Sequence, residues 1–367
     1  MSKLPFFIVL FLLQIGYSPA QKISLEDDIS DGYLDEFSKP EAAFILSGVN
    51  DPDSLEFYIS WYHDLVDHIN TLSLDYSNPV QSAHTVFMYL HTTWLQTYAL
   101  ESTTLTDIVK NKEYNCVAAT ILFNLISEDL NWDVEAFETP THVYTIFNNF
   151  GRDLMVENTS SMGFDIMRNL KNYSNYLASF YPQKDVLKIG LDKLYYYENS
   201  NGRIISNTEL LGLLAYNRAY LAKKTNNFQA AYDYVLLAQQ FNRDSRSNVN
   251  FEIGLYYVWG RELFRESQFI RAFDVFADGF YRYPDNEDFR NNTVSALFNS
   301  LMHTWQVKDW AESSRLLAES EKLDIFADKD IKNLESYLMN WDRYFAAIAD
   351  NTSRQQARKY LQGLAGK

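Results

Sequence analysis

Large apolar residues recur at three- and four-residue spacings in two early stretches. Phe57, Trp61, Leu65 and Ile69 form one stripe, and Val86, Leu90, Trp94 and Tyr98 form another. They predict amphipathic helices over 57–72 and 84–100. Upstream, an acidic and irregular start around Glu26-Asp27-Asp28 gives way to a helical patch from Lys39 to Leu46. The character changes after Thr104. Leu105 to Val109 reads as a short helical turn, and small residues followed by apolar ones predict a buried helix beginning at or just before Cys116. Past Asn131-Trp132 the pattern is strand-like. Val134 to Phe137, His142 to Phe147 and Asp153 to Glu157 are predicted strands, with a turn over Asn148 to Gly151 between the last two.

From Ile205 onward the pattern is helical and repetitive. Asn227-Phe228-Gln229-Ala230-Ala231, Gln268-Phe269-Ile270-Arg271-Ala272 and Asp309-Trp310-Ala311-Glu312-Ser313 each place an aromatic after a polar turn and a small residue three positions on. Ala231, Ala272 and Ser313 stand 41 residues apart. Ala219 and Gly260, upstream of the first two, and Ala238 and Gly279, downstream, are small where paired helices must approach closely. Pro284 then ends its unit. The phase resembles that of tetratricopeptide (TPR) repeats, stretched beyond the usual ~34-residue period. Glu198 to Gly202 reads as a linker between the two halves.

Composition narrows the function classes. The 367 residues are 47% hydrophobic with only 13 Gly and 8 Pro, which suits a helix-rich chain better than an all-β one. Acidic residues outnumber basic ones 48 to 32, a net charge of −16, so nucleic acid is not an expected partner. His63, His68, His84 and His91 read as helix-surface residues, with no carboxylate completing a metal site at a recognisable spacing. No nucleotide loop, cofactor lysine or metal-ligand cluster is evident, so no cofactor is expected. Residues 1–20 carry Lys3, an apolar run from Phe6 to Leu13 and a small-residue site at Ser18-Pro19-Ala20. This reads as an export signal too short for a relaxed span of ~20 residues, giving a periplasmic or secreted protein without a stable membrane anchor.

Export gives the lone cysteine its meaning. Cys116 has no partner for an intramolecular disulfide, and an unpaired thiol in an oxidising compartment is either buried and inert or in use. At a helix start its thiolate would be favoured by unpaired N–H groups. A base and an orienting acid are candidates nearby in the strands, His142 and Glu157. With the turn at Asn149-Phe150, the two face each other across the hairpin with Cβ atoms ~5 Å apart. Moving the turn by one residue puts Thr159 opposite His142 and leaves Glu157 within diagonal reach. The Cys116 N–H is a first oxyanion donor, with Asn115 or Tyr114 as candidates for a second.

Three segments carry a resemblance: Tyr114-Asn115-Cys116-Val117-Ala118-Ala119-Thr120, Thr139-Pro140-Thr141-His142-Val143-Tyr144 and Met155-Val156-Glu157-Asn158-Thr159-Ser160. They look like the three motifs of the transglutaminase-like, papain-like cysteine fold. The pairing with C-terminal repeats is similar to a bacterial transglutaminase-like/TPR fusion family. The resemblance implies an α+β transglutaminase-like domain over 81–200, preceded by a helical segment over 21–80 and followed by all-α TPR-like repeats over 205–367. It implies Cys116 as nucleophile, His142 as base and then acid, and Glu157 as the orienting residue, where the family usually has Asp. The implied activity is cysteine-dependent peptidase or amide-transfer chemistry, with the repeats binding a protein or peptide. A second reading keeps the fold and drops the chemistry, leaving a non-catalytic scaffold. Asn-x-Ser/Thr sequons stand at Asn158, Asn172, Asn291 and Asn351, and a glycan on Asn158 would obstruct the site.

Overall fold

The structure, a computed structural model, describes residues 24–149, 151–168 and 200–364. The expected export signal, the sequon at Asn172 and part of the expected linker at 198–202 lie outside the described residues. Among those described, fourteen helices accompany one small antiparallel sheet and a two-stranded parallel pair. No helix there is long and apolar enough to cross a membrane.

The N-terminal part opens with α1 (Leu25–Asp28) and continues through α2 (Lys39–Leu46), α3 (Pro52–Asn70) and α4 (Pro79–Thr93). Helix starts follow local chemistry. Ser38 and Glu41 form a capping box before α2, and Asp51 and Asn78 cap α3 and α4 ahead of a proline in the first turn. The predicted stripe on α3 is rotated. Tyr58, Tyr62, Leu65 and Ile69 form its buried face, while Phe57 is exposed. Tyr62 takes the inner place because its hydroxyl can donate to Asp129 at 2.7 Å as the ring is buried. The second predicted helix is shorter than expected. It stops at Thr93, and Tyr98 lies instead in β1 (Thr97–Tyr98), paired in parallel with β2 (Glu113–Tyr114) beyond α5 (Leu105–Asn111).

Helix α6 (Cys116–Asp129) is the centre of this half, with every residue from Val117 to Ser127 buried. It is covered by the sheet on one side and by α2, α4, α5 and the later helix that begins at Asn207 elsewhere, as a helix buried on all faces requires. The sheet runs β5-β4-β3-β6, all antiparallel, with β3 (Val134–Glu138), β4 (Val143–Asn149), β5 (Arg152–Val156) and β6 (Arg203–Ile205). Buried polar side chains tie the layers together. Asn124 on α6 donates to Asn207 Oδ1 at 2.7 Å and to the Glu135 carbonyl at 3.2 Å, and accepts from Thr145 at 2.5 Å.

Four helical hairpins follow. They are α7 (Asn207–Lys224) with α8 (Phe228–Phe241), α9 (Arg246–Arg265) with α10 (Phe269–Arg282), α11 (Glu287–Val307) with α12 (Trp310–Lys322), and α13 (Asp328–Ala347) with α14 (Asn351–Leu364). Asn226, Ser267, Lys308 and Ala349, each 41 residues after the last, all take left-handed φ values of 57–62° in the turn of their hairpin. Ala231, Ala272 and Ser313 are fully buried, and a Cβ on Gly260 would lie 2.5 Å from the Phe276 ring. The fourth hairpin escaped the sequence signature because Asn351 and Arg354 replace the aromatic and the small residue. One hydrophobic core runs from Leu25 through the sheet to Phe241, so the first hairpin shares it with α6. A second core runs from Tyr256 to Ala357.

Candidate functional site

Cys116 opens α6, as the sequence pattern predicts. Asn115 is its N-cap, with its Oδ1 accepting from the Ala118 N–H at 3.0 Å. The parallel β1–β2 pair holds the preceding residues, and the Ser102 hydroxyl donates to Glu113 at 2.9 Å. The sulfur therefore stands on a helix start fixed from both sides, half-buried rather than sealed.

His142 comes from the turn between β3 and β4. Its backbone N–H donates to Thr139 Oγ1 at 3.0 Å, and its carbonyl accepts from the Thr139 N–H at 2.8 Å. Glu157 follows β5 and is fully buried. Its N–H donates to the Gly163 carbonyl at 2.9 Å, and a Cβ on Gly163 would strike the Glu157 carbonyl at 1.9 Å, so only glycine closes this turn.

The two residues meet by a different register from the one favoured by counting. Thr145 pairs with Val156 and Asn149 with Arg152, so the ladder is shifted by one residue from the one that a turn at Asn149-Phe150 would set. Gly151, at φ 88°, supplies the left-handed conformation a tight hairpin needs. Continued past the last pair, this register sets Thr159 opposite His142, and Glu157 reaches the ring diagonally. His142 Nε2 lies 2.7 Å from Glu157 Oε2. The other carboxylate oxygen accepts from the Thr159 N–H at 3.0 Å and its hydroxyl at 2.5 Å.

The Cys116 sulfur also acts on the imidazole, and both line one cavity, so the three predicted residues converge. Burial alone would lower the His142 pKa. The Glu157 carboxylate and the Cys116 sulfur outweigh it and hold the ring well above the ordinary histidine value. Of the oxyanion candidates, Tyr114 is committed elsewhere, since its hydroxyl donates to the Thr159 carbonyl at 3.3 Å. Asn115 uses its carboxamide oxygen as the cap, which leaves its NH2 group as the donor end, and the residue lines the cavity at Cys116.

That cavity, about 420 Å³, is bounded on one side by Asn115, Cys116 and His142 and on another by Leu213, Tyr216 and Tyr220 of α7. The α7 wall is absent from the sequence prediction, because residues a hundred positions from the cysteine carry no local signal of proximity. Tyr98 was read only as part of a helical stripe. Its pKa is pushed up to about 12, first by loss of water and then by the neighbouring Cys116 and Glu157, which keeps its hydroxyl protonated.

Two other expectations are corrected. His91 is not a helix-surface residue. It is buried against the Phe87 ring at 4.5 Å, and burial pushes its pKa down to about 4, despite a hydrogen bond at Leu95 and the charge of Glu157. Asn158 is fully buried, with its Nδ2 donating to Thr145 at 2.8 Å and Thr120 at 3.2 Å, so the folded chain has no room for a glycan there. Among the described residues no group of three or more His, Cys, Asp or Glu side chains is arranged to hold a metal ion. No protein-family model, curated protein or solved structure matches the chain.

Proposed function

We propose that this is an exported, transglutaminase-like cysteine acyl-transfer protein, with TPR-like hairpins behind its active cleft and a protein or peptide amide as substrate. The observation that carries the reading is the convergence of a thiol at a helix start, an imidazole and a buried carboxylate, with the imidazole 2.7 Å from the acid and in one cavity with the sulfur. A cavity opening onto that thiol supports it over an inert scaffold.

The chemistry follows from the geometry. Glu157 holds the Nε2 edge of the ring, leaving Nδ1 to exchange a proton with sulfur. The thiolate attacks the amide carbonyl carbon, and the negative charge that develops on oxygen is met by the Cys116 N–H and the Asn115 carboxamide NH2. As the C–N bond breaks, the imidazolium gives its proton to the departing amine, leaving a thioester. Water or a second amine then attacks the thioester and gives a proton to the imidazole. Collapse expels the thiolate and yields an acid or a new amide.

The test is alkylation of the folded protein by iodoacetamide at neutral pH, followed by mass. Cys116 should react at least tenfold faster than free cysteine, of which only ~3% is ionised at pH 7. A rate no higher than that of free cysteine removes the activated thiol and leaves the scaffold reading.

A further inference from the structure

We propose that α7, the first helix of the hairpin array, is the specificity wall of the Cys116 cleft, and that the acyl donor carries an uncharged apolar side chain beside the reacting carbonyl. The inference rests on the acyl-transfer reading and names the substrate class of that same site.

Three observations carry it. Leu100 and Tyr220 are large apolar residues left 73% and 55% exposed, and both line this cavity. They come from the loop before α5 and from α7, so the cleft combines surfaces from the two halves of the chain. Val117, Val143, Leu213 and Leu221 add to the apolar share of a lining that also carries the polar Asn115, Thr141 and Asn217.

The second observation is charge. Apart from Cys116 and two tyrosines, four ionisable side chains line the cavity, and each has a partner of its own. Lys224 is paired with Glu101. Glu138 is ion-paired with Arg203 at 3.1 Å and accepts from Asn242 at 3.2 Å and from Ser245 at 3.3 Å. His142 is held by Glu157. A charged substrate side chain would lose its water here and gain an opposite charge only by displacing a partner already in place, which disfavours both acidic and basic donors. An apolar one would cover Leu100 and Tyr220, a gain of about tenfold to a hundredfold in binding for one buried side chain.

The third is attachment. Helix α7 cannot swing aside as a loosely tethered module. Asn207 at its start donates to the Val134 carbonyl at 3.0 Å and accepts from Asn124 at 2.7 Å, and β6 just before it is the edge strand of the sheet. The wall is therefore preformed, and specificity belongs to side chains rather than to closure.

The experiment compares N-blocked phenylalanyl, leucyl, aspartyl and lysyl chloromethyl ketones on the full-length protein. The thiolate displaces chloride, forming one S–C bond, and the adduct is counted by intact mass. Each rate is divided by the probe's rate with free cysteine and by the same protein's iodoacetamide rate. The phenylalanyl or leucyl probe should exceed both charged probes by tenfold or more, and Tyr220→Ala and Leu100→Ser should each cut that preference several-fold. A charged probe as fast as the apolar ones, or a preference intact in both variants, overturns the inference. The two failures are separable. Slow iodoacetamide alkylation removes the acyl-transfer reading, whereas fast alkylation without side-chain preference removes only the α7 wall.

Discussion

Glu157 approaches His142 from outside the regular ladder, its Oε2 at 2.7 Å from the ring nitrogen, while its other oxygen is held by two donors from Thr159. The carboxylate therefore has no freedom to choose another partner, and the imidazole inherits its orientation.

Replacing Glu157 by Gln keeps the shape and removes the charge. The His142 titration, followed by NMR of the ring protons, should fall from well above the ordinary value back toward ~6.5. Iodoacetamide alkylation of Cys116 at pH 7 should slow by about tenfold. An unchanged titration would remove Glu157 from the orienting role.

Two histidines should give stability a maximum near neutrality. The folded pKa of His142 is raised, so its contribution is complete below the unfolded value of ~6.5 and is lost as pH rises through the folded value. His91 is depressed to about 4, so its contribution is complete above ~6.5 and is lost as pH falls toward 4. Each limb has a limiting slope of ~1.4 kcal/mol per pH unit. Urea titrations at pH 5, 6.5 and 8.5 should show the middle value highest, with His91→Gln flattening the acid limb and Glu157→Gln the alkaline one. Stability still rising between 6.5 and 8.5 would contradict the His142 assignment.

Two glycines of the same helix, α9, should respond in opposite directions to alanine. At Gly260 the new Cβ would lie 2.5 Å from Phe276, so Gly260→Ala should cost about 1–3 kcal/mol. At Gly254 the nearest atom is the end of Lys223 at 3.9 Å, so Gly254→Ala should stabilise by roughly 0.5–1 kcal/mol through helix propensity. Thermal denaturation of both variants separates close helix approach from helix propensity.

Glu252 is a buried carboxyl side chain between the first two hairpins. It accepts from Gln239 at 2.7 Å and Tyr283 at 2.6 Å and pairs with Arg282 at 2.6 Å. Glu252→Ala should destabilise by roughly 3 kcal/mol, because it orphans the donors around a buried site. Cys116 alkylation should be unchanged, since Glu252 lies outside the cleft. A chemical denaturation curve together with the alkylation rate checks both halves of this prediction.

Periodicity was enough to place α6 with Cys116 at its start, the strands around His142 and Glu157, and the three hairpin turns that open on Phe228, Phe269 and Trp310. Each is a local matter, since burial of one face, a capping side chain or an aromatic after a left-handed turn leaves its mark within a few residues. Neighbours in space leave no such mark. The hairpin register turned on one residue, and Gly151 took the left-handed position that adjacent side chains disfavour. The fourth hairpin kept its turn at Ala349 after losing its aromatic signal, because packing against α13 could form the same bend without it. His91 looked like a surface residue until Phe87 and Tyr114 closed around it. The α7 wall over Cys116 is the extreme case, since contacts such as that between Asn124 and Asn207 join it to α6 across 83 residues of chain. A hydrophobic stripe records that a face is buried, but the face that covers it depends on how separate elements satisfy one another's surfaces and polar groups at once.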